Sequence, residues 1–218
     1  MPTAKAVRES VKAELDFDPL IDPTNITVKN LNGEVALNGT VPSYPQYREA
    51  AAAARRVYGV TGVHNHLLVV LPAVDRRDDA ELASAANSAL EANITVPDNV
   101  EASAVVDGNV WLTGTVSYGF ERGAAEQTIE GLPGVRGITN DIEIYNDTEV
   151  ADVTALVRGA LDRYAVIPED SEVTVDATNG SITLTGHVRT WSEHDAAINA
   201  AWMAPGVSDV RDGLVVTG

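Results

Sequence analysis

The sequence predicts an α+β fold built as three tandem α-β-β-α-β units, each a three-stranded mixed sheet with two helices packed on one face. Three observations predict it. First, a nine-residue pattern recurs: Gly33-Glu34-Val35-Ala36-Leu37-Asn38-Gly39-Thr40-Val41, then Gly108-Asn109-Val110-Trp111-Leu112-Thr113-Gly114-Thr115-Val116, then Gly180-Ser181-Ile182-Thr183-Leu184-Thr185-Gly186-His187-Val188. The spacing gives units of roughly seventy residues. Second, each pattern opens on a dipeptide, Asn32-Gly33, Asp107-Gly108 or Asn179-Gly180, that suits a type I′ hairpin turn. Third, a further glycine followed by valine ends each copy at the same distance: Gly59-Val60, Gly134-Val135 and Gly206-Val207.

The elements follow in order within a unit. Apolar residues spaced by four mark a first helix: Val7, Val11, Leu15; Leu82, Ala86, Leu90; Val153, Val157, Leu161. Two β-rich runs flank the hairpin turn, and the second alternates, burying Val35/Leu37, Val110/Leu112 and Ile182/Leu184. A second helix spans 44–58, 119–132 and 191–203. Ser43 with Gln46 and Thr190 with Glu193 supply its capping chemistry, and Pro45 is tolerated in a first turn. Gly59, Gly134 and Gly206 sit where a left-handed glycine ends a helix. An alternating strand closes each unit: Val63, Asn65, Leu67, Val69; Ile138, Asn140, Ile142, Ile144; Val210, Asp212, Leu214, Val216. The units are read as residues 1–72, 76–146 and 149–218, joined by short polar linkers at 72–79 and 146–149. Domains this small hold a core only marginally, so the units are expected to pack on one another.

Composition narrows the function classes. The 218 residues are 44% hydrophobic, contain no Cys and carry a formal net charge of −17. Disulfides, thiolate metal sites and a Cys nucleophile are excluded. No apolar run is long enough for a transmembrane helix. The N-terminal stretch lacks an apolar signal core, so the chain reads as cytoplasmic, or periplasmic if an export signal has been trimmed. An acidic surface argues against nucleic acid as a partner. The charge is uneven: residues 1–74 are neutral, 75–147 carry −10 and 148–218 carry −7.

The repeated Gly-x-Val-x-Leu-x-Gly-x-Val, the Ala-rich helix at Ala50 to Ala54, the Gly59-Val60-Thr61-Gly62-Val63 segment and the closing Asn65-His66-Leu67 resemble the BON domain. The resemblance covers nearly the whole chain as three tandem copies. It implies a non-enzymatic module of bacterial osmotic-shock and envelope-stress proteins that associates with phospholipid or envelope proteins. A cytoplasmic relative joining a BON unit to a LysM unit binds potassium, so K+ is a second implied ligand. Two departures stand out. Many family members are exported and this chain shows no signal. Ser103 also stands where Val28 and Val175 stand in the other units, weakening the central unit's first strand.

No motif carries catalysis: P-loop, dinucleotide fingerprint, GxSxG and HExxH are absent from the sequence. No enzyme activity, cofactor or metal is expected. His64 and His66 share a strand face and could clamp a metal, but their counterparts, Thr139/Asp141 and Arg211/Gly213, are an ordinary solvent-facing set. His187 and His194 read as surface residues. Lys5, Arg8 and Lys12 cluster on the first helix, the best candidate for meeting an anionic membrane or other ligand. Trp111 is expected on the open sheet face as an interface residue, between units or with a partner, either a second copy in a homo-oligomer or another protein. Trp191 and Trp202 are read as core. Gly33, Gly39, Gly59, Gly108, Gly114, Gly134, Gly180, Gly186 and Gly206 are read as turn and cap glycines.

Overall fold

The computed structural model describes residues 3–145, 153–163, 173–178 and 180–217. The first unit runs α1 (Ala4–Phe17), β1 (Ile26–Leu31), β2 (Glu34–Val41), α2 (Tyr44–Arg55) and β3 (Gly62–Val69). The second runs α3 (Asp79–Ala92), β4 (Glu101–Val106), β5 (Asn109–Thr113), β6 (Thr115–Val116), α4 (Gly119–Glu130), β7 (Gly137–Asn140) and β8 (Glu143–Ile144). The third runs α5 (Val153–Leu161), β9 (Thr174–Thr178), β10 (Ser181–Val188), α6 (Trp191–Trp202) and β11 (Asp209–Val216). The boundary expected at 146–149 and the turn residue Asn179 lie outside the described residues.

Each sheet is mixed. The hairpin pair is antiparallel, with Val28 opposite Leu37, and the closing strand adds in parallel, with Val35 opposite Val63. The same arrangement repeats in the third unit, where β10 pairs antiparallel with β9 and parallel with β11. A helix between β2 and β3 is what a parallel connection requires, because the chain must return to the same end of the sheet. The apolar stripes of the first helices are buried as spaced: Val7, Val11 and Leu15; Leu82, Ala86 and Leu90; Val157 and Leu161. Against them lie the inward residues of the central strands, Val35, Leu37, Val110, Leu112, Ile182 and Leu184, all fully buried. One continuous core runs through the first two units, while the third unit has its own.

The structure revises three expectations. The second helices begin where the caps predict but stop early, at Arg55, Glu130 and Trp202 rather than 58, 132 and 203. A separate turn follows each, closed by Val60 N–H to Val57 O, Val135 N–H to Leu132 O and Val207 N–H to Ala204 O. The left-handed glycines (Gly59, φ 88°, and its counterparts) therefore shape that extra turn and do not cap the helix directly. Second, Gly39, Gly114 and Gly186 are neither turn nor cap residues; they lie within or between strands at φ 128°, 138° and 124°. A Cβ on Gly39 would stand 1.8 Å from the Asn25 carbonyl oxygen, so the glycine admits the loop that feeds β1. Third, the central unit's sheet is interrupted. Its register shifts between Ala102 and Ala104, bulging at Ser103, and its long strands break into β5/β6 and β7/β8.

Candidate functional site

The second helices carry side-chain contacts that join all three units. Arg48 of α2 forms ion pairs with Glu126 and Glu130 of α4. At the C-terminal end of α2, the Arg55 guanidinium lies 4.5 Å from the ring centre of Trp191, the first residue of α6. At the other end of α6, Trp202 packs on Gly119, the first residue of α4; a Cβ there would meet the indole at 2.6 Å. The three helices therefore meet head to tail around a closed ring: α2 to α6, α6 to α4, and α4 back to α2. Repeated units joined through one type of contact close when successive rotations complete a circle.

The junctions are not filled alike. Where Arg48 reaches across from α2, the corresponding residue of α4 is Gly123, and a Cβ there would meet nothing within 4 Å. A groove of about 1190 Å3 remains between α4 and α6, lined by Tyr118, Phe120, Arg122, Asn140, Asp195 and Trp202 among others. Tyr118 and Phe120 stack at 5.5 Å on its rim.

The candidates from sequence are distributed differently from this ring. Lys5, Arg8 and Lys12 fall on one exposed stripe of α1, with Arg8 and Lys12 both paired to Glu9 at 2.8 and 3.8 Å. The Arg8 hydrogen bond, with the charge of Lys12, holds the Glu9 carboxyl below its usual range. At the C-terminal end of α1, Arg56 bridges Glu49, Glu14 and Asp18, fastening α1 to α2. Trp111 is half-buried in β5, between Ala104 of β4 and Thr139 of β7. That is the open side of its sheet, opposite the helices that carry the ring; Trp191 and Trp202 make aromatic contacts between units. His64 and His66 stack at 6.4 Å on the open face of the first sheet, with His64 Nε2 3.0 Å from Glu34. Among the described residues, no group of three or more His, Cys, Asp or Glu is placed to hold a metal ion.

His194 is the residue that sequence reading misplaced. It is 8% exposed, held between Asp195 and Asp212 with its ring edge toward Trp191. The hydrogen bond to Asp195, then that to Asp212, raises its pKa against the opposing effect of burial. The signal lay in the repeat columns. Tyr47, Arg122 and His194 are the fourth residues of their helices, and Asn65, Asn140 and Asp212 face them from the closing strands.

A BON domain family model matches residues 3–70, 78–146 and 149–218, so the chain belongs to the BON domain family. Among curated relatives, it is 32% identical over 149 residues to Osmotically-inducible protein Y of Escherichia coli (strain K12), covering 63% of this chain and 71% of that protein. Among solved structures, CdsD, a structural protein of the type III secretion system of Chlamydia trachomatis, aligns over 95% of this chain and 90% of its own. It does so at 14% identity with a TM-score of only 0.26. Among the described residues, no helix is long and apolar enough to cross a membrane.

Proposed function

We propose that the chain is a non-catalytic stress-response binding protein that meets an anionic phospholipid surface through its first unit. One observation carries the reading: α1 carries three cations along one stripe, and its C-terminal end and the loop after it leave apolar side chains unburied. Lys5, Arg8 and Lys12 stand on the helix, and Phe17 and Leu20 at its C-terminal end are 82% and 66% exposed. Cations draw such a surface to anionic headgroups, and apolar side chains then enter the interface. The neutral first unit beside units of −10 and −7 makes the contact one-sided, because the acidic units are repelled from the same surface. The similarity to an osmotically inducible protein supports the stress context. Membership of the BON family supports the class of partner.

Co-sedimentation with phosphatidylglycerol vesicles at low salt tests the reading. Binding is expected, is weakened by added salt, and is lost in a Lys5→Glu/Arg8→Glu/Lys12→Glu variant or on neutral phosphatidylcholine vesicles. Absence of binding to the anionic vesicles at low salt overturns it.

A further inference from the structure

One tie between the second helix and the closing strand is built differently in the third unit. In the first unit, Asn65 of β3 donates from Nδ2 to the Tyr47 carbonyl of α2 at 2.7 Å, and its Oδ1 accepts from the Leu67 N–H at 3.2 Å. In the second, Asn140 of β7 donates to the Arg122 carbonyl of α4 at 3.1 Å and accepts from the Ile142 N–H at 3.3 Å. Both bonds to a helix carbonyl use neutral groups and do not titrate, although Asn140 Nδ2 also lies 3.4 Å from a Glu126 carboxylate oxygen. In the third unit, the strand residue is Asp212. Its Oδ1 keeps the local bond, accepting from the Leu214 N–H at 3.0 Å, but it has no N–H to give a helix carbonyl. The helix supplies the proton instead: His194 Nε2 lies 2.8 Å from Asp212 Oδ2, while Nδ1 lies 3.0 Å from Asp195 Oδ1.

We propose that His194 makes the third unit a proton-sensing element: charged, its ring bridges Asp195 and Asp212 and holds α6 against β11; neutral, it keeps Asp195, its neighbour on the helix, and releases Asp212. The argument is one of donors. A neutral imidazole has one N–H and can serve only one of two flanking carboxylates, whereas the imidazolium serves both. The ring is buried while the Asp195 and Asp212 side chains are about half exposed, so a carboxylate the ring no longer bonds turns to water instead of holding the helix.

Among the described residues, charged groups approach the ring from the elements packed around it. On α6 itself, Asp195 bonds it, while Glu193 accepts from the backbone N–H and guanidinium of Arg189 instead. On β11, Asp212 faces it. On α2, Arg55 lies beyond Trp191. On α5, which also packs on α6, Arg158 donates to the Val175 carbonyl. The two carboxylates raise the folded-state pKa above the ordinary 6.5. The stabilisation is therefore complete below about pH 6.5 and is lost as pH rises through the raised value. The change reaches the ring of units because His194 packs edge-on against Trp191 at 4.8 Å, and the first unit holds Trp191 through Arg55.

The test uses the full chain. Proton NMR follows the His194 imidazole, and amide exchange, corrected for its intrinsic pH dependence, follows Leu214. Wild-type His194 is expected to titrate above 6.5, and Asp212→Asn to lower its midpoint. That variant keeps the fold because Asn fills this position in the other two units. Corrected exchange at Leu214 is expected to be roughly tenfold faster at about pH 8.5 than at about pH 5.5 in wild type, and flat in Asp212→Asn. A His194 midpoint unmoved by Asp212→Asn, or a Leu214 profile identical in both proteins, overturns the proposal.

Discussion

Replacing Asn65 by Asp tests the neutral form of the strand-to-helix tie and has a magnitude that can be worked out. The substitution keeps the acceptor for the Leu67 N–H but removes the Nδ2 donor that bonds the Tyr47 carbonyl at 2.7 Å. A half-buried carbonyl is then left facing a carboxylate. The carbonyl keeps its intrahelical partner, so the cost is the lost hydrogen bond and the repulsion of the new charge, about 1–3 kcal/mol together. The first and second units share one core, so they are expected to unfold together as a block of roughly 150 residues. For that size, 1 kcal/mol corresponds to about 2–4 °C, which puts the expected loss at about 2–12 °C at neutral pH. Thermal unfolding followed by far-ultraviolet circular dichroism measures it. Adding Tyr47→His recreates the pairing found at His194 and Asp212, and the double variant is expected to regain stability as the pH falls below about 6.5. Tyr47 also stacks on Tyr44 at 5.7 Å, so the informative quantity is the double variant's pH profile, not its absolute midpoint. An Asn65→Asp midpoint within about 1 °C of wild type, below the whole expected range, would refute the reasoning.

Two further outcomes follow from the packing. Gly39→Ala is expected to destabilise the first unit by more than the roughly 1–3 kcal/mol of backbone strain alone, because its Cβ would also strike the Asn25 carbonyl oxygen; urea unfolding measures this. Arg48→Glu places a third carboxylate beside Glu126 and Glu130. It is expected to cost about 1 kcal/mol or less in unfolding, since the pairs are partly exposed, yet to loosen the junction, read as a larger radius of gyration in small-angle scattering at low salt that added salt reverses.

The interior of each unit was legible because burial leaves a period in the sequence. Val7, Val11 and Leu15 repeat at helical spacing, Val35 and Leu37 alternate, and Asn32-Gly33 marks the turn between strands; all three depend on neighbours close in the chain. The helix ends were legible only to within a turn, because Gly59 belongs to a second turn that no local pattern separates from the helix. Ser103 was legible as a weak point, and the strand does bulge there. The site was less visible. Trp191, Trp202 and Gly119 are ordinary helix residues until three helices are brought end to end. His194 reads as a surface histidine until Asp212, on the closing strand, arrives beside it.

The sequence by itself therefore determined the repeat, the α-β-β-α-β order and the inward residues, since periodicity and turn chemistry are local properties of the chain. The tertiary structure alone decided how the three copies close on one another, why the junction at Gly123 stays open, and which of three equivalent ties can titrate. Those are questions of distance between residues far apart in the chain. A carboxylate and an imidazole acquire a shared chemistry only when folding places them within a hydrogen bond of each other.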